Sequence, residues 1–357
     1  MPNLQADRLA ELVILVTRAM GSSEAEARDV ADHLVAANLA GHDSHGVGMI
    51  PDYVRMLHEG LLVPNQVLRT VSDQGAVLVL DANRGFGQAM AKEAMRRGIE
   101  RARAMGSATV ALRNSAHVGR VGHWAEQCCA AGMVSVHFVN VGDHDPLQAP
   151  WGCSDGRLGT NPVAVGVPGA DGQPLFLLDM ATSAIAFGKA RVARNKGVPV
   201  PEGVLIDEAG RPTTDPTRYV DERRGALLAF GAHKGSGLAI LAEVLGAAVT
   251  GGISIAPHFP RNGGIVNSML SFILDMKSMG EPHGIAREAQ AIGDWVKASP
   301  PAPGFTSVLL PGEPEMQARE RRLAEGVPID EKSLADILAA ARSLGLAQDE
   351  LDRALGR

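Results

Sequence analysis

The sequence predicts an α/β fold in which a sheet alternating with helices is flanked by helical segments at both ends of the chain. Three observations carry that expectation. Apolar residues recur at helical spacing through the first 60 residues. The middle of the chain alternates short β-rich runs with amphipathic stretches. The last 40 residues return to helical spacing. The 357 residues suit two or three domains, or one large domain with lobes. The expected division is a helical segment over 1–70, an α/β core over 71–260, and a segment over 261–357 that returns to the core and ends in a helical tail.

Leu9, Leu12, Val13 and Val16 mark the first helix, and Ser23 with Glu26 reads as a capping box opening the second. Val30, Leu34 and Val35 share a face of that second helix, which stops at Gly41. A polar stretch follows, then another amphipathic run to Gly60. Strands are expected over 76–81, 108–112, 133–140, 163–167 and 175–180, and helices over 88–105 and 121–131. Residues 199–216 are rich in Pro, Gly and Asp and read as a loop or hairpin. The run 237–249 reads as a buried apolar helix, and 268–275 as a return to the sheet. Five prolines over 300–314 predict an extended connector.

Composition removes several function classes. Hydrophobic residues at 45% and charged residues at 21% leave ample material for a core. Aromatics at 4% with 41 glycines point to close helix packing rather than an aromatic binding face. The net charge is −6, and the basic run from Arg319 to Arg322 is broken by Glu320, so no nucleic-acid partner is expected. No apolar stretch reaches the roughly 18 residues of a membrane span. No basic, apolar and cleavage-site pattern opens the chain, and Cys128, Cys129 and Cys153 fit no zinc spacing. The expectation is a cytoplasmic protein with reduced thiols.

Five segments carry chemistry-bearing residues. His42-Asp43-Ser44-His45-Gly46 sets two imidazoles between helices, where a histidine with a pKa of about 6.5 can move a proton at neutral pH. The same residues also suit a helix cap. Asn114 to Gly122 holds His117 and two glycines, Gly119 and Gly122, at a strand-to-helix turn. Such a turn can admit a phosphate, or serve as a plain polar loop. Gly159-Thr160-Asn161-Pro162 reads as a turn launching a strand. Asp179 ends an apolar strand before Thr182 and Ser183, which suits ribose contacts or an N-cap. His233-Lys234-Gly235-Ser236-Gly237 precedes a helix and could meet an anion. It lacks the spacing of a Walker A loop. Gly235-x-Gly237 and Gly85-x-Gly87 both lack the third glycine of a Rossmann fingerprint. The eleven histidines show no HExxH pattern, so no metal site is expected.

In order, the motifs DSHG, NSxHxGRxG, GTNP, LDxATS and HKGxxL resemble the malate/L-lactate dehydrogenase family along nearly the whole chain. That family includes ureidoglycolate and sulfolactate dehydrogenases and Δ1-piperideine-2-carboxylate reductases. Its hydroxycarboxylate dehydrogenase B branch shares AANLAGHDSHGVGMIP, ATSAIAFGK, KGVPVPEGVLID and WVKASP with this chain. The resemblance implies an L-sulfolactate dehydrogenase-like fold that binds NAD(P) without a Rossmann domain, and a homodimer. It implies hydride transfer between the nucleotide and a small-molecule 2-oxo or 2-hydroxy acid. His117 would then be the acid/base, with His45 beside the nicotinamide. The cofactor contacts it implies are Gly119, Arg120, Val121, Thr160, Asn161, Leu177, Leu178, Asp179, Met180, Ala181, His233, Lys234, Asn267, Gly312 and Glu313.

On the substrate side it implies Met49 and Tyr53. Many members carry an arginine where this chain has Met49, so a bidentate carboxylate clamp is lost there. Another cation must hold the carboxylate, or the pocket takes bulkier acids resembling phenylpyruvate or 2-oxoglutarate rather than lactate or malate. No arginine cluster suited to a 2′-phosphate stands out, so NAD is expected ahead of NADP. The rival readings are a cyclic imino acid reductase of the same fold, a metal-dependent lyase or hydrolase, and a non-catalytic nucleotide binder.

Overall fold

Apolar stripes at both ends of the chain cover each other. The computed structural model describes residues 3–357, the side chains of 195 and 196 excepted. After β1 (Asn3–Leu4), α1 (Ala6–Ala19) buries Leu9, Leu12, Val13 and Val16 completely. Ser23 opens α2 (Glu24–Leu39) by accepting the Glu26 N–H. The predicted capping box forms only in this half. The Glu26 carboxylate accepts the Asn65 N–H at 2.9 Å and the Ser22 hydroxyl at 2.5 Å, while Asn65 Oδ1 takes the Ser23 N–H at 2.7 Å. A partner far along the chain thus replaces the local one. Two single 3₁₀ turns, Asp43–His45 and Val47–Met49, lead into α3 (Ile50–His58).

The sheet region begins with β2 (Arg69–Gln74) and β3 (Val77–Asp81), then α4 (Gly87–Met105) and β4 (Ser107–Ala116). Next come α5 (Gly122–Ala130), β5 (Met133–Gly142), β6 (Gln148–Ala149), β7 (Val163–Pro168) and β8 (Pro174–Met180). A smaller lobe holds α6 (Phe187–Lys196), β9 (Leu205–Ile206), α7 (Thr217–Glu222) and β10 (Ala226–Leu228). The chain then forms α8 (His233–Glu243), β11 (Val266–Asp275), α9 (Pro282–Lys297), α10 (Glu313–Glu325), β12 (Val327–Pro328), α11 (Glu331–Ser343) and α12 (Gln348–Ala354).

The large sheet has the order β2-β3-β4-β11-β5-β7-β8. β3 and β4 are parallel because α4 crosses between them, and the other neighbours run antiparallel. α4 lays Ala91, Ala94 and Ala102 into the sheet's core, the close approach that small residues permit. β11 enters from late in the chain and sits at the centre, where most of its side chains are buried. β6, β10 and β9 form a second sheet, and the predicted hairpin over 199–216 supplies β9. The helix expected over 237–249 starts earlier, at His233, and passes into a π turn at Val244–Ala248. It is not buried throughout, since Ile240, Leu241, Val244 and Val249 are exposed. α11 and α12 join α1, α2 and α3 in one apolar core, and β1 pairs with β12. No helix among the described residues is long and apolar enough to cross a membrane.

Candidate active site

β4 ends at Ala116 and delivers His117 to the rim of the sheet. The backbone beyond it is pinned at three points. Asn267 Oδ1 on β11 accepts the Val118 N–H at 2.8 Å, and the Asn267 amide donates to Asn140 O at 2.9 Å. Trp124 Nε1 donates to Val118 O at 3.1 Å, and His33 Nε2 accepts the Arg120 N–H at 2.8 Å. Gly119 between them has φ +77°, and a Cβ there would overlap His33 Nε2.

The second histidine is presented by a tethered loop. Asn38 Oδ1 accepts the Val47 N–H at 2.8 Å and its amide donates to Asp43 at 2.7 Å. Asp43 pairs with Arg322 of α10 at 2.6 Å, and His42 meets Glu315 of α10 at 3.1 Å. Asp43 and His42 therefore dock α10, and His45 turns inward. Its Nδ1 lies 3.2 Å from His117 Nε2, with the rings stacked at 15°. On the other side of His117, Nδ1 lies 2.7 Å from the Tyr53 hydroxyl, which accepts from the Gln88 amide at 2.7 Å.

Burial sets the protonation of this cluster. The His117 imidazole is pushed down to about 4 by loss of solvent. Burial, and then the neighbouring His117, hold His45 well below the ordinary histidine value. The Tyr53 phenol is pushed up by burial and stays protonated. His33 is also held well below its ordinary value, His123 is lowered to about 4 and His137 to about 3. Between those values and 6.5, the unfolded chain binds more protons than the folded one. The stability these neutral histidines contribute is complete above pH 6.5 and is lost as pH falls toward 4. Each contributes up to about 1.4 kcal/mol per pH unit in that window. Thermal denaturation from pH 7.5 to 5 should show the melting temperature falling by several degrees, and a flat profile would contradict the burial argument.

A cavity of about 590 Å³ opens in front of the two histidines. His45, His117, Gly119, Arg120, Val121, Thr160, Asp179, Met180, Ala181 and Asn267 line it, so the structure brings together ten residues singled out in the sequence. Leu177 and Gly312 line an adjoining cavity of about 550 Å³ on the far side of Glu315. The rest lie elsewhere. Asn161 is fully buried and its side chain is spent on the Val141 N–H, Ala239 O and Glu243. Leu178 is exposed on the edge strand, and His233 and Lys234 are exposed at the start of α8. Glu313 accepts the Leu310 N–H and pairs with Lys297. Met49 packs on the helical core, and Tyr53 reaches the site only through its hydroxyl on His117.

Arg120 is 1% exposed, with Glu126 at 2.5 Å and Asp179 at 3.8 Å. These are contacts of charge, because none of its three side-chain nitrogens makes an aligned hydrogen bond, and neither does Asp179 Oδ2. Burial raises the Asp179 carboxyl against the pull of Arg120. Buried polar atoms without partners at a cavity wall fit a polar ligand carrying both donors and acceptors. Lys189, Glu315 and His33 line these cavities without belonging to the residues expected there. Lys189 on α6 faces the same cavity as the two histidines, and no acid among the described residues pairs with it. Glu315 lines both cavities, and His33 supports the Gly119 turn. A histidine beside Val30 and Leu34 on a buried helix carries no local mark of that role. No group of three or more His, Cys, Asp or Glu among the described residues is placed to hold a metal ion.

The malate/L-lactate dehydrogenase family model matches residues 4–338. Hydroxycarboxylate dehydrogenase B of Escherichia coli K12 is 49% identical over 348 residues, 97% of this chain and 95% of that protein. The solved sulfolactate dehydrogenase of Methanocaldococcus jannaschii superposes with a TM-score of 0.87 at 32% identity, covering 98% of this chain and 99% of that one. The Δ1-piperideine-2-carboxylate reductase of Pseudomonas syringae gives 0.81 at 29% identity, covering 95% and 100%.

Proposed function

Because the chain belongs to the malate/L-lactate dehydrogenase family, we propose that it transfers a hydride between NAD(P)H and a 2-oxo or 2-hydroxy carboxylic acid, with His117 moving the proton. The observation that carries this reading is the His117 imidazole, held at Nδ1 by Tyr53 and presenting Nε2 to a polar cavity beside His45. The nicotinamide nucleotide, when bound, supplies or accepts the hydride. The buried Arg120 and Asp179 pair, the backbone from Gly119 to Val121, and Met180 and Ala181 would hold it against the cavity wall. As the imidazolium, His117 gives its Nε2 proton to the substrate oxygen in reduction, leaving the neutral ring with its proton on Nδ1, and takes the proton back on Nε2 in oxidation.

The substrate carboxylate needs a cation, and Met49 supplies none. Arg120 is already neutralised by Glu126 and Asp179. Lys189 is the free positive charge on the wall, and we assign the carboxylate to it. The acids in view remain those resembling phenylpyruvate, 2-oxoglutarate, malate or lactate. NAD is favoured over NADP because Asp29, Asp32, Glu126 and Glu315 line the adjoining cavity, where Lys92 already pairs with Asp29 and Arg319 lies beside Glu126. The exposed apolar face of α8 supports a homodimer, and three free thiols support the reducing cytoplasm. Reduction of a cyclic imino acid is the second reading, favoured by the likeness to the Pseudomonas reductase.

The test is a panel of 2-oxo acids and one cyclic imine with NADH and NADPH, followed by absorbance. Turnover of an acid with NADH supports the first reading, and turnover of the imine alone selects the second. Lys189→Met should raise KM for the acid about 10–100-fold with kcat nearly kept, the worth of a hydrogen bond to a charged group. An unchanged KM would remove Lys189 from the carboxylate.

A further inference from the structure

Gln88 lines neither the substrate cavity nor the backbone turn suited to the nucleotide, yet its surroundings are built around it. It stands in the first turn of α4, 1% exposed. That turn is pressed onto the catalytic strand end, because a Cβ on Gly87 would overlap the carbonyl oxygens of Ala116 and His117. The Gln88 amide donates to the Tyr53 hydroxyl at 2.7 Å, and that hydroxyl meets His117 Nδ1 at 2.7 Å. Gln88 Oε1 is buried with no partner.

A phenol has one proton. While Gln88 Nε2 donates to the Tyr53 oxygen, that proton is free to go to His117 Nδ1. Nδ1 is then an acceptor, and neutral His117 carries its proton on Nε2, at the cavity edge and 3.2 Å from His45 Nδ1, which accepts it. A half-turn of the Gln88 amide interchanges its two ends at almost no cost in shape. Oε1, which now lacks a partner, then accepts the phenol proton. The Tyr53 oxygen in turn accepts from His117 Nδ1–H. This second arrangement suits both the imidazolium and the neutral form with a free lone pair on Nε2, the two forms between which an acid/base cycles.

We propose that Gln88 is a positioning residue whose amide, acting through Tyr53, decides which ring nitrogen of His117 carries the proton. The inference rests on His117 being the acid/base. The other ionisable groups around the ring are His45 on its cavity side and His33 on α2 behind the Gly119 turn, with Asp52 acting on Tyr53 and His42, Arg120, Asp179, Lys189 and Glu315 along the cavity wall. Among the described residues, Tyr53 is the hydrogen-bond partner of Nδ1.

The experiment is nitrogen NMR of histidine-labelled protein without substrate, with His117 assigned from the spectrum of His117→Ala. In the wild type the protonated nitrogen should be Nε2. Gln88→Glu, with its carboxylate ionised at high pH, can only accept. It should move the proton to Nδ1 and shift the acid limb of the kcat profile to higher pH. Gln88→Met leaves Tyr53 only Nδ1 as a partner. It should keep the proton on Nε2 and lower kcat about 10-fold or more with KM kept. The same ring nitrogen protonated in both variants, or folded variants whose pH limbs coincide, would overturn the proposal. A merely structural Gln88 would lower the melting temperature of both without moving the proton. Because the spectrum needs no substrate, a proton that moves as expected in a protein that turns over no acid would count against the proposed activity and not against this relay.

Discussion

Replacing His117 with alanine is expected to lower kcat by roughly 10²–10⁴-fold, the usual worth of a proton donor in place at the reacting oxygen. The loss should fall on kcat rather than on cofactor binding. His117 Nε2 faces the cavity at its junction with His45, whereas the groups suited to the nucleotide lie along Gly119 to Val121 and Asp179 to Ala181. His45 does not replace it, since the Tyr53 hydroxyl that holds the catalytic ring meets His117 and not His45. The fold should survive, because the Val118 N–H, the Arg120 N–H and the Trp124 indole keep their partners. Steady-state kinetics and NADH fluorescence titration separate the two effects. Turnover within about threefold of wild type would end the assignment of His117.

Gly119→Ala should be the most damaging single-methyl change in the site. The backbone there is left-handed at φ +77°, which costs a non-glycine residue about 1–2 kcal/mol. The new methyl would also meet His33, and that ring has nowhere to go. Trp124 stacks on it at 4.9 Å and His123 lies at 4.5 Å. Displacing the ring strands the buried Arg120 N–H, which costs roughly 1–3 kcal/mol more. Together these take about 2–5 kcal/mol from a stability that in folded proteins is about 5–15 kcal/mol. A melting temperature lower by about 5 °C or more is expected. The loss should shrink in the His33→Ala background, where the clash is gone. A full loss persisting there would show that His33 is not the obstacle.

Much of the local structure was legible. Apolar spacing marked α1, α4, α5 and the strands β3, β5, β7 and β8 to within a few residues, because a helix or strand face buried on one side writes its own period into the sequence. The order of five motifs identified the family, and a single missing glycine ruled out a Rossmann turn. The run 237–249 misled because its apolar residues satisfied the pattern of a core helix, whereas in the folded chain one face remains exposed. Asn161 and Met49 misled in another way. Their positions in a motif say nothing of whether the side chain turns to the cavity or to the fold, and here one is consumed by Glu243 and the other by apolar packing.

The sequence alone therefore determined most of the secondary elements, the family, and the two histidines as candidates for the chemistry. The tertiary structure decided what those histidines can do. It joined His45 to His117 across 72 residues, set β11 between β4 and β5, and turned Lys189, His33 and Gln88 toward a site to which no motif assigns them. The reason is that buried polar groups must find partners, and most partners here come from distant segments. Periodicity records which face of an element is buried, but not which remote donor or acceptor will meet it there.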